Sequence, residues 1–374
     1  MPEGTGFRWF HRWAVFFGIL CCLMIAAMFV FSAVQSARHK DFWCDENFGL
    51  EGGARSSTYQ QLLLRGVRGQ GSAAPLDYIL VKAWDHVYPG FSALVSHNVY
   101  YRLNSIVWDC AAGLIIALIS FYVICQRPGG RRMLLLQSGL ICLGLFVFYF
   151  KKSHMHFATE MRPYALWNSA WYVMLGCFML QGARGAVFWG GMVLALTSSG
   201  ALLQIPALAL SRIIFRFVDR DDIRGVLREA LAVFALPFLI AVYYAVQSDK
   251  FGYVNTAGDY ARYSAEFYSF WGSKWRVPFL SMAGIVLTVW NRQWRGCTTV
   301  FFAILMLYAC APLINSRILS SGFFFTSRQY LYYDLVFPLF YLMLALILPG
   351  YWMRISQYRL ITNSGFYFVK KNPQ

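Results

Sequence analysis

The sequence predicts an all-α polytopic membrane protein, on three observations. Of 374 residues, 58% are apolar and only 13% charged, with 33 Phe, 23 Tyr and 13 Trp. Apolar runs of about 20 residues recur, each long enough to cross a bilayer as a helix. The alternating pattern of a membrane barrel is missing, and backbone inside lipid must satisfy its own hydrogen bonds, which leaves helices.

About ten spans are expected, at roughly 13–35, 99–125, 133–150, 164–182, 186–201, 202–217, 228–247, 276–291, 297–313 and 328–349. The first follows FRWFHRW, and its apolar run is longer than a signal-peptide core, so it reads as an uncleaved anchor, with the small residues of FSAVQSA leaving cleavage as the alternative. The stretch 186–217 is either one long span or two short ones meeting at Ser198-Ser199-Gly200. The basic series Arg212, Arg216, Arg220, Arg224, Arg228 favours two, because the positive-inside rule then places it in the cytoplasm. The turn at 126–132 (QRPGGRR), Ala183-Arg184-Gly185, 291–295 (NRQWR) and the tail at 350–374 are basic too, which puts both termini in the cytoplasm. Residues 1–349 form one transmembrane domain. The opposite face carries loops at 36–98, 151–163, 248–275 and 314–327. In the first of these, TYQQLLLRGV and PLDYILVKAWDHV have helical spacing with one apolar face, as in interfacial helices, and Pro75 suits a helix start.

The formal net charge is +16. Basic loops on anionic headgroups account for it, so membrane lipids are expected partners and nucleic acid is not. Some arginines are also candidates for holding phosphate. Most of the nine cysteines fall inside apolar runs and read as small hydrophobes, and no CxxC pair marks a metal site. His154 and His156 flank a Met and form a weak metal candidate; no cofactor is called for, and a divalent metal stays open. Walker, Rossmann and HExxH patterns do not occur.

The chemistry collects at one membrane edge. Behind the first span stands DFWCDENFGL (41–50), where Asp45 and Glu46 are adjacent. On a helix they diverge by about 100°; on an irregular turn both could face one cavity. Either a solvated loop or a general base fits. FATEMRPYAL (157–166) opens the fourth span with Glu160, Arg162 and Tyr164. Arg102, in YYRLNS (100–105), opens the second, and Arg328, in SRQY (327–330), opens the last. A local ion pair, lipid snorkelling and a phosphate clamp are all compatible with these arginines. Asp109 and Asp334 lie inside spans, each a candidate buried partner for a basic group.

In their order, WCDENFG, APLDYILVKAW, YRLNSIVWDCAAGLIIALISFYVICQR and FATEMRPYALW resemble the type C glycosyltransferases, closest to bacterial relatives of protein O-mannosyltransferases and the lipid A aminoarabinose transferase. The likeness covers roughly residues 10–185. It implies a polyprenyl-phosphate sugar donor, an envelope glycan, lipid or protein acceptor, and chemistry on the extracytoplasmic face. Asp45 would be the acceptor-activating base and Glu46 its neighbour. Arg102 and Arg162 would hold the lipid phosphate or the acidic partner, and Arg328 would be a looser extension. One base would invert the anomeric centre; Asp45 with Glu160 would allow retention, so the stereochemistry is open. The His-Tyr pattern of common members after the fifth span is replaced by TSSGALLQIP, and their large soluble C-terminal domain has no counterpart here. Acceptor choice then falls to 36–98 and to 248–275, rich in Tyr, Asp and Trp. A lipid-linked sugar flippase and a non-catalytic scaffold are the competing expectations; a flippase would place ionisable groups at mid-membrane in paired repeats.

Overall fold

The computed structural model describes residues 5–65, 74–126, 131–180, 184–247, 257–320 and 327–363, and no strand occurs among them. The helices are α1 (Thr5–Arg38), α2 (Cys44–Asn47), α3 (Tyr59–Arg65), α4 (Leu76–Val87), α5 (His97–Cys125), α6 (Arg131–Phe150), α7 (Lys152–Ala158), α8 (Tyr164–Met179), α9 (Arg184–Thr197), α10 (Ala201–Val218), α11 (Ile223–Ala230), α12 (Leu236–Gln247), α13 (Ala257–Ser273), α14 (Arg276–Thr288), α15 (Arg295–Ser320) and α16 (Val336–Asn363). A wide-turn segment, Phe48–Arg55, continues α2, and a tight-turn segment, Ser327–Leu335, precedes α16.

Seven of these segments are long and apolar enough to cross a membrane, and α9 and α14 are shorter apolar helices. The chain is therefore an all-α membrane protein. Its surface agrees: α1 turns Phe16, Phe17, Met24, Met28 and Phe31 outward, while Glu46, Arg102 and Asp109 are buried. That inversion suits a chain whose solvent is lipid.

α1 packs along α5 and α6, α16 closes on α6, and α8 lies between α5 and α9. The 186–217 stretch breaks at Ser198–Gly200 into α9 and α10. Arg184 at the start of α9 and Arg212 near the end of α10 both reach Glu229, at 3.0 and 3.3 Å, so the two helices double back. Arg295 joins the same end through Asp219 at 2.6 Å. At the other end Trp167 Nε1 donates to Gln204 at 2.7 Å, and Lys151 and Lys274 grip Asp334 at 2.9 and 2.8 Å. Tyr243 and Tyr244 reach the carbonyls of Leu64 and Leu63 there, both at 2.6 Å.

Three loop expectations change. Residues 257–273 are helix α13, and 152–158 are helix α7. The last helix runs through Pro349 to Asn363, so the first part of the expected tail extends it. As expected, Pro75 caps α4.

Candidate functional site

The first loop is held together, and to the bundle at α5, by side-chain bonds. Lys82 donates to the Ala54 carbonyl at 2.9 Å, and Trp84 and Tyr100 exchange side-chain-to-carbonyl bonds at 2.9 and 3.0 Å. Arg55 bridges to Asp85 at 2.8 Å. Ser105 on α5 donates to the Glu160 carbonyl at 2.7 Å and pins the turn before α8. These ties bring residues 41–50, 75–88 and 157–164 to one corner of the bundle end.

Asp45 and Glu46 diverge on the short helix α2. Glu46 turns inward and is 1% exposed. It pairs with Arg102 at 3.0 and 2.7 Å and accepts the Met161 N–H at 2.7 Å and the Trp43 N–H at 3.2 Å. Arg102 spends all five N–H groups: two on Glu46, and three on the carbonyls of Ala37, Lys40 and Asp41. It gathers three carbonyls at and just beyond the end of α1, where helical N–H partners run out. Of the two expectations for Arg102, a lipid phosphate or the acidic partner, the structure forms the second with Glu46, and a guanidinium 1% exposed with every donor committed has nothing left to offer a phosphate. Glu46 is likewise a buried structural counter-charge, with both oxygens engaged.

Asp45 faces the other way. Its side chain is 37% exposed and pairs with Arg162 Nη2 at 3.0 Å. Arg162 lies 5.7 Å from the Trp43 ring and 5.0 Å from the Tyr164 ring, so Tyr164 acts here as a stacking face for the guanidinium. Its Nη1 is buried and without a hydrogen-bond partner. Asp45, Arg162, Gly49, Asp77, Tyr78 and Met161 line one narrow cleft.

Glu160 does not line that cleft. Its Oε1 faces His156 at 3.1 Å and Lys40 at 3.9 Å. The two-carboxylate arrangement of Asp45 with Glu160 is therefore not formed around it. Arg328 falls on the Ser327–Leu335 segment, and its side chain lies outside the described residues.

His154 and His156 also part company. His154 is buried with Nε2 3.3 Å from Asp109, and burial pushes its imidazole down to about 4; His156 is exposed on Glu160. Among the described residues no group of three or more His, Cys, Asp or Glu is placed to hold a metal.

Asp77 was not among the expected site residues. It is 3% exposed, and burial pushes its carboxyl up to about 7. One signal was available. Asp77 and Val81 are four residues apart and so share the buried face of α4, where an acid is out of place.

Compared with protein families, characterised proteins and solved structures, the chain finds no match.

Proposed function

We propose that the protein is a membrane glycosyltransferase that moves a sugar from a polyprenyl-phosphate donor to an envelope glycan, lipid or protein on the extracytoplasmic face. One observation carries the reading: the Asp45–Arg162 pair opens on a cleft at the bundle end, with a second guanidinium donor, Nη1, uncommitted. Counting α8, α9 and α14 with the seven long spans gives ten passes and keeps both chain ends on the opposite side.

The chemistry follows from that pair. A lipid phosphate departs with negative charge growing on its oxygens, and a fixed guanidinium donor in a partly dry cleft stabilises that charge. Asp45, positioned by Arg162, takes the proton of the acceptor hydroxyl as its oxygen attacks the anomeric carbon. One such base on one side of the sugar gives inversion.

The test uses purified protein in nanodiscs, a panel of radiolabelled undecaprenyl-phosphate sugars and a crude envelope extract. Wild type should transfer label, and folded Asp45→Asn should lose roughly two to four orders of magnitude in rate. Equal rates would remove Asp45 from the chemistry. Movement of donor across the bilayer without transfer would replace the enzyme with a flippase.

A further inference from the structure

We propose that Asp77 is a second working carboxyl of the Asp45 cleft, handing its proton to the departing phosphate while Asp45 collects the proton of the acceptor. The inference rests on the glycosyltransferase reading above.

Asp77 stands on α4, across from the turn that carries Arg162, and lines the same cleft as Asp45 and Arg162. Among the described residues no ion pair reaches it, whereas Asp45 is paired with a guanidinium. Asp45, Arg162 and Tyr78 are the charged and titratable groups that face the cleft. The others on elements packed against α4 are engaged elsewhere or exposed. Arg55 and Tyr101 meet at Asp85, Glu51 pairs with Arg55, Tyr100 bonds to Trp84, Arg184 of α9 is on Glu229, and Arg65 is exposed. The two carboxyls therefore sit in unlike surroundings: Asp45 is half in solvent beside a counter-charge, and Asp77 is buried without one, which favours its protonated form. Two carboxyls treated in that way divide naturally into a base and an acid.

The step balances. The acceptor oxygen attacks the anomeric carbon, and the bond from that carbon to the phosphate oxygen breaks with its electron pair on the phosphate. The acceptor's proton passes to Asp45. The Asp77 proton passes to the phosphate, whose charge Arg162 Nη1 also meets. The cycle ends with Asp45 protonated, Asp77 ionised and the lipid phosphate protonated once. One proton moving from Asp45 to Asp77 inside the cleft restores the start.

The experiment follows kcat from about pH 5 to pH 9, a range that brackets the raised value of Asp77 at about 7, for wild type, Asp77→Asn and Asp45→Asn, in nanodiscs with the radiolabelled undecaprenyl-phosphate sugars. Wild type should slow as pH rises past about 7, where Asp77 loses its proton. Asp77→Asn keeps the shape and a hydrogen-bond donor but has no proton to give. It should be slower by roughly 10²- to 10³-fold near neutrality and should lack the alkaline fall. Asp77→Asn with the wild-type rate overturns the proposal, and so does a slower variant that keeps the alkaline fall, which would make Asp77 a packing residue. In both cases an inactive Asp45→Asn leaves the glycosyltransferase reading standing. Absence of transfer by wild type removes that reading, and this step with it.

Discussion

Asp45 and Glu46 are neighbours in the chain and do opposite work. Glu46 belongs to a pair 1% exposed on both sides, and removing one partner strands the other charge. Arg102→Ala and Glu46→Ala should each lower stability by about 3–5 kcal/mol, measured by thermal unfolding in detergent. Asp45→Asn, half in solvent, should stay within about 1 kcal/mol of wild type; a large drop would make Asp45 structural too. Asp77 gives a signed pH effect. Its carboxyl titrates near the ordinary Asp value when unfolded and at about 7 when folded. Between those values the unfolded chain releases a proton that the fold keeps, so wild type loses stability as pH rises through that window, and the loss is complete above about 7. Each tenfold difference in proton affinity between folded and unfolded chain is worth roughly 1.4 kcal/mol. Asp77→Asn should therefore melt higher than wild type, by a margin that grows from about pH 4 to pH 7 and then levels off; equal margins at both ends would contradict the burial argument. The two acids at 45 and 46 were visible in the sequence. Which one faces the cleft was not, because Glu46 is claimed by a guanidinium 56 positions away.

At the scale of elements, most spans follow from apolar length alone, since lipid rewards nothing else along a helix. The segments at 151–163 and 257–273 were read as loops because their polar and aromatic residues break the apolar run. The backbone is helical at 152–158 and 257–273 all the same, with Phe267 fully buried on one side of α13. Each of these helices buries only one side, and hydropathy along the chain registers the polar side as well. Packing between spans sets a sharper demand at Gly296, where α15 begins against the end of α8. A Cβ there would stand 2.6 Å from the Phe178 carbonyl oxygen and 3.2 Å from that of Met179, both backbone atoms that have nowhere to go. Gly296→Ala should destabilise by about 1–3 kcal/mol, read as a lower melting temperature; an unchanged melt would show that α15 can slide off α8.

The whole molecule has two chemically distinct ends. One gathers Lys40, Asp45, Glu160, Arg162 and Asp334; the other gathers Arg184, Arg212, Asp219, Glu229 and Arg295. Cys44 is exposed at the first end and Arg220 lies at the second. In sealed cells a membrane-impermeant maleimide should label Cys44, and should label an Arg220→Cys variant only after permeabilisation. Labelling of both from one side would break the two-ended arrangement. The basic turns announced the second end in the sequence through a simple charge excess. The first end was harder to read, because it mixes both signs and its meaning lies in which groups touch. The Arg102 cage also bears on biosynthesis. As the chain emerges, the last carbonyls of α1 and the Glu46 carboxylate reach the membrane edge before Arg102 has been made. Until some 60 further residues have followed α1, that acid lacks the guanidinium that holds it in the folded protein. Insertion of α5 is then the event that draws Glu46 inward, leaves Asp45 outside and sets the corner of the cleft.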